Sequence, residues 1–130
     1  MKKYQKVMVT GVTGFLGSHL TLQLLNKGYK VLGTARDLKK AKEFKEIISK
    51  FTINIENLEI READLKEPGD WNNIMKDIEA VFHVASPFPQ ELPEDPDDLY
   101  IPAVEGTLNV LKAASRNGVK RVILTSSSGA

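Results

Sequence analysis

Val7-Met8-Val9-Thr10-Gly11-Val12-Thr13-Gly14-Phe15-Leu16-Gly17-Ser18-His19-Leu20 joins a short apolar run to a leucine-rich helical pattern through three glycines with two residues between each and the next. Strand, tight turn and helix follow one another without a linker. The first N–H groups of a helix have no intrahelical acceptor and carry a partial positive charge. An anion satisfies them only if the backbone comes close with no Cβ in the way, and glycine permits that approach. The stretch reads as a phosphate-holding turn, provided strands and helices alternate around it.

The rest of the chain supplies that alternation. Strands are expected at residues 6–10, 30–35, 57–61, 80–85 and 120–125, and helices at about 14–27, 38–50 and 71–77, with a last one running to about 117. Leu16, Leu20 and Leu24 form the expected inner face of the first helix, which Gly28 ends. Phe44, Ile47 and Ile48 form the apolar stripe of a lysine-rich second helix, and Val104, Leu108 and Leu111 that of the last, ended by Gly118. Pro68-Gly69 marks a turn before the third helix. Residues 87–102 form a proline-rich connection whose Glu91, Glu94, Asp95, Asp97 and Asp98 read as solvated surface, with Asp97 or Asp98 starting the helix. The fold implied is α/β: a Rossmann-type, doubly wound parallel sheet in three layers, α/β/α, truncated after its fifth strand. Right-handed crossovers predict strand order 3-2-1-4-5, with two helices on each face and a ligand crevice between strands one and four.

Composition fits one dinucleotide-sized domain over residues 1–130. The chain is 42% apolar with a net charge of +1, which calls for neither nucleic acid nor a membrane surface. There is no cysteine, so disulfides, thiolate nucleophiles and cysteine-ligated zinc are excluded, and His19 and His83 alone make no metal cage. The apolar run after Lys2, Lys3 and Lys6 stops at Thr10-Gly11, too short for a signal-peptide core, and the expected compartment is the cytoplasm.

The glycine spacing Thr10-Gly11-Val12-Thr13-Gly14-Phe15-Leu16-Gly17 resembles the cofactor turn of extended short-chain dehydrogenases/reductases, in the NAD-dependent epimerase/dehydratase superfamily. Further matches follow in order: Thr34-Ala35-Arg36-Asp37, Ala63-Asp64-Leu65, Val81-Phe82-His83-Val84-Ala85-Ser86-Pro87, Val104-Glu105-Gly106-Thr107 and Val122-Ile123-Leu124-Thr125-Ser126-Ser127. Together they resemble the dihydroflavonol 4-reductase and cinnamoyl-CoA reductase branch along the whole chain.

The resemblance implies a nicotinamide cofactor over Thr10, Gly11, Thr13, Gly14, Phe15, Leu16 and Gly17. At the end of the second strand an acid would read a ribose 2′-hydroxyl and an arginine a 2′-phosphate. Both types occur, as Arg36 and Asp37. Arg36 matches the family's 2′-phosphate position and Lys42 adds charge, so NADP is favoured over NAD; Asp37 reads equally as the cap of the next helix. Asp64 reads either as a turn aspartate or, by resemblance, as the adenine-binding aspartate with Leu65 beside the ring. Val84, Ala85 and Ser86 resemble the wall next to the nicotinamide ribose, with partial contact from Ser126. His83 reads as a core histidine. Ser127 resembles the serine that hydrogen-bonds the substrate carbonyl while a tyrosine, its pKa lowered by a lysine, moves the proton.

That tyrosine and lysine stand as Tyr-x-x-x-Lys in the family, after the serine. Here Tyr4, Tyr29 and Tyr100 are followed four positions on by Met8, Gly33 and Val104. The expectation is the cofactor-binding half of a longer oxidoreductase acting on a small carbonyl or alcohol substrate, inactive alone. Two alternatives stand beside it: a non-catalytic dinucleotide sensor, and a nucleotide-sugar epimerase or dehydratase using NAD.

Overall fold

Both faces of the first strand are covered, and this is why its sequence is a continuous apolar run rather than an alternating one. The computed structural model describes residues 6–85 and 94–126. In chain order the elements are β1 Lys6–Thr10, α1 Phe15–Asn26, β2 Lys30–Ala35, α2 Leu38–Ile48, β3 Leu58–Glu62, α3 Pro68–Ile74, β4 Ala80–His83, α4 Asp97–Arg116 and β5 Arg121–Leu124. A 3₁₀ turn at Ile55–Asn57 precedes β3.

All pairings are parallel, in the order β3-β2-β1-β4-β5. The register sets Thr10 opposite Thr34 and Val9 opposite Phe82. Val7 and Val9 of β1 pack with Leu24 and Leu25 of α1 and Ala41 and Ile48 of α2. Met8 points the other way, into a cluster with Trp71 and Ile74 of α3 and Val110, Ala113 and Ala114 of α4. The first two helices therefore cover one face and the next two the other, as expected. Met8, Val9 and Leu25 have no exposed surface, each contributing about 2 kcal/mol of apolar burial.

The helices depart from expectation in which residues they bury. On α1 the inner residues are Gly17, Thr21, Leu24 and Leu25, while Leu16 is 48% exposed at the helix start. On α2 Ile48 is buried but Ile47 points outward. On α4 the inner face consists of Gly106, Val110, Ala113 and Ala114, whereas Val104 and Leu108 are exposed. The reason is close approach, since a Cβ on Gly106 would already stand 3.0 Å from Leu65 Cβ and leaves no room there for a leucine.

Boundaries also shift. α3 starts at Pro68, whose ring suits the first helical turn, so Pro68-Gly69 lies within the helix and not before it. α4 starts at Asp97, as expected, but runs through Pro102, which sequence reading placed in the connection. β4 ends at His83 because the next two N–H groups, those of Val84 and Ala85, bond to the Thr10 side chain rather than to a strand. β5 lies at the sheet edge with Ile123 and Leu124 exposed.

Candidate functional site

After β1 the backbone turns at Gly11, whose φ of +70° lies in the left-handed region. The Gly11 and Val12 N–H groups both donate to the Thr34 carbonyl at 3.1 Å, tying the turn to β2, and the Gly14 N–H donates to the Gly11 carbonyl at 3.2 Å. Gly17 then lets the first turn of α1 rest on that carbonyl, because a Cβ there would land on the Gly11 oxygen. A further glycine of the motif, unremarked in the sequence, is Gly33 of β2, where a Cβ would collide with the Val12 side chain.

The N-terminus of α1 is open. Gly14 is its N-cap, no side chain caps it and its first turn has no acidic residue. The N-terminus of α2 is closed by contrast: Asp37 Oδ1 accepts the Lys39 N–H at 2.9 Å and the Lys40 N–H at 3.4 Å. The capping reading of Asp37 thus holds, through one of its two carboxylate oxygens. Orphan donors and positive end charge remain at α1 for a ligand to satisfy.

The α1 terminus faces a cleft of about 450 Å³ at the carboxyl ends of the strands, where the strand order reverses between β1 and β4. One wall is the turn itself, with Gly11, Thr13, Gly14, Phe15, Leu16 and Gly17. Arg36 stands at the end of β2, Asp64 and Leu65 after β3, and Val84 and Ala85 after β4. Arg36 is exposed and makes no ion pair among the described residues, whose two salt bridges are Lys6–Glu59 and Arg61–Glu59. A smaller hollow of about 310 Å³ adjoins it, walled by Arg36, Glu62, Asp64 and Asp70.

Three expected residues do not line the cleft. Thr10 is fully buried behind the turn. Its Oγ1 accepts the N–H groups of Val84 and Ala85, each at 2.9 Å, and lies 3.0 Å from His83 Nδ1. With both lone pairs taken, the hydroxyl proton is directed at Nδ1, which assigns the ring proton to Nε2. His83 is 3% exposed, and burial holds its pKa below the ordinary value, consistent with a neutral core histidine. Lys42 lies on the exposed side of α2 and Ser126 is exposed beyond β5, both outside the cleft wall. Ser86 and Ser127 lie outside the described residues.

Asp64 takes its turn reading and stands on the cleft wall. Its Oδ1 accepts the Lys66 N–H at 3.0 Å, a turn aspartate, and the residue also lines the cleft. Sequence reading missed Thr34, Ala35, Ala63, Lys66, Trp71 and Thr125 as wall residues. Trp71 carried a signal, being the only tryptophan, seven residues after Asp64.

The sequence signature of the NAD dependent epimerase/dehydratase family matches residues 7–130. The chain is 43% identical over 124 residues to tetraketide alpha-pyrone reductase 1 of Arabidopsis thaliana, covering 95% of this chain and 38% of that protein. It is 38% identical over 124 residues to dihydroflavonol 4-reductase of Hordeum vulgare, covering 95% and 35%. Among solved structures, yeast methylglyoxal/isovaleraldehyde reductase complexed with NADPH matches with a TM-score of 0.82 at 32% identity, covering 95% of this chain and 37% of that one. The chain spans little more than a third of the length of these relatives. With its motifs in order and its sheet wound as theirs is, the chain belongs to the NAD dependent epimerase/dehydratase family and has the reductase-type dinucleotide-binding fold.

Proposed function

We propose that the chain binds NADP(H) across the cleft, as the cofactor-binding part of a carbonyl reductase. The carrying observation is the pairing of an uncapped α1 N-terminus over a glycine cradle with an exposed Arg36 on the same cleft, which has no ion-pair partner among the described residues. The N–H groups at Phe15 and Leu16, without acceptors among the described residues, suit a pyrophosphate, and Gly14 beside them presents no Cβ to it, while Gly11 and Gly17 let the turn and the helix pack closely. Arg36 offers a fork for a 2′-phosphate, while Asp37 lines neither the cleft nor the hollow beside it and so is a poor reader of a free 2′-hydroxyl. That favours NADP over NAD, and so argues against an NAD-using epimerase. Asp64 would accept the adenine amino group with Leu65 against the ring, and Val84, Ala85 and Ser86 would flank the nicotinamide ribose.

When bound, the reduced cofactor supplies hydride to the substrate's carbonyl carbon. Ser127, by its family resemblance, would hold the carbonyl oxygen that gains the proton. These 130 residues hold no tyrosine followed four positions on by lysine, so this reading assigns the proton donor to another part of a longer protein. The substrate class is a small carbonyl compound, as the names of the relatives imply for those proteins. No helix among the described residues is long and apolar enough to cross a membrane.

Calorimetric titration of the purified chain with NADPH and NADH tests the reading. NADPH is expected to bind tighter, and Arg36→Ala to reduce that preference by about tenfold. Equal or tighter binding of NADH, with Arg36→Ala without effect, would overturn the NADP assignment.

A further inference from the structure

The loop after β3 is held by side chains from both helices of its face. The Asp64 N–H donates to Asp70 Oδ2 at 3.3 Å, the Asp64 carbonyl accepts from Trp71 Nε1 at 3.0 Å, and the Leu65 carbonyl accepts from Asn109 Nδ2 at 2.7 Å. The Asp64 carboxylate is itself anchored through Oδ1 to the Lys66 N–H, while Oδ2 has no hydrogen-bond partner among the described residues. Helix α4 comes unusually close here. A Cβ on Gly106, one turn before Asn109, would press on Leu65. Asparagine is a weak helix former, and Asn109 sits well inside α4 with its amide turned to a loop 44 residues away in sequence.

We infer that Asn109 is a positioning residue for adenine recognition: by holding the Leu65 carbonyl it sets where Asp64 Oδ2 and the Leu65 side chain meet the base. The inference rests on the dinucleotide reading above. The Asp64 N–H and the Asp64 and Leu65 carbonyls are tied to α3 or α4, so the free carboxylate oxygen is carried on a fixed frame. Leu65 is 7% exposed, and loss of the Asn109 amide leaves its carbonyl to rotate toward solvent and take the aspartate with it. Trp71, buried and on the cleft wall, supports the same frame from the α3 side.

A purely structural role and a positioning role separate when two ligands are compared on the same variant. NADPH carries the adenine amino group, and its hypoxanthine analogue carries in that place a carbonyl oxygen, which cannot donate to Asp64. Both are titrated calorimetrically into the 130-residue chain, wild type and Asn109→Leu. The expected result is that Asn109→Leu weakens NADPH about fivefold and the hypoxanthine analogue by less than about twofold, erasing the discrimination between them. Gly106→Ala leaves every one of these hydrogen-bonding groups in place and displaces only Leu65, so it is read in the same way, with a smaller loss, if Asn109→Leu does not fold. Equal losses for the two ligands, or no loss for either, overturn the inference. Failure of the wild type to bind NADPH is a separate outcome that overturns the dinucleotide reading and this inference with it.

Discussion

Thr10 and His83 form a buried bridge between β1 and β4, with the Thr10 hydroxyl 3.0 Å from His83 Nδ1 and two N–H groups of the chain after His83 received on the same oxygen. One side chain thereby ties the segment after β4, whose Val84 and Ala85 line the cleft, to the end of β1 at the switch point. Thr10→Val keeps the shape and removes the hydroxyl, leaving two N–H groups and a ring nitrogen unpaired. It is expected to lower stability by about 2–4 kcal/mol in urea unfolding, with Thr10→Ser recovering most of the loss. An isosteric valine without effect would show that the bridge is not used.

Gly17→Ala separates two opposing effects. Helix propensity alone favours alanine by about 1 kcal/mol. The added methyl, however, would fall on the Gly11 carbonyl oxygen, forcing α1 away from the turn. Net destabilisation and loss of more than about tenfold in NADPH affinity are expected, and a more stable variant with unchanged affinity would contradict the close approach.

The pH dependence follows from His83, whose pKa burial holds below the ordinary 6.5. The unfolded chain takes up its proton near 6.5 and the folded one only at lower pH. Its contribution to stability is therefore complete above that value and is lost as pH falls from 6.5 through the folded pKa. Urea midpoints measured across this range should decline toward acid, and His83→Gln should flatten the decline.

Arg36 and Asp37 are neighbours with different tasks. Asp37→Ala removes the α2 cap and is expected to cost about 1 kcal/mol of stability while leaving NADPH affinity within about twofold. Lys42→Ala, on the outer side of α2, should likewise leave affinity unchanged. Arg36→Ala should do the opposite of Asp37→Ala, sparing stability and weakening NADPH.

Strand order and the placement of two helices on each face were legible because the apolar runs, the glycine turn and the handedness of crossovers all point to one topology. The α1 wall of the cleft and Arg36 were legible for the same reason: their positions follow from where strands end. The inner face of α4 was not. Val104 and Leu108 have the right period, but the helix approaches Leu65 too closely for them, and that distance is a tertiary fact with no signature in the periodicity. Thr10 was legible as part of the turn but not as a buried hub, since its partners lie over 70 residues away in the chain. The Asn109 contact was equally invisible, joining α4 to a loop through one side-chain amide.

The most direct test of the central claim is amide NMR of the isotope-labelled chain during titration with NADPH. The largest shifts are expected at residues 14–17, where α1 opens on the cleft, with further changes at Arg36, Asp64, Leu65, Val84 and Ala85. Saturable binding that leaves residues 14–17 unmoved, or shifts concentrated on the far ends of the strands, would contradict it.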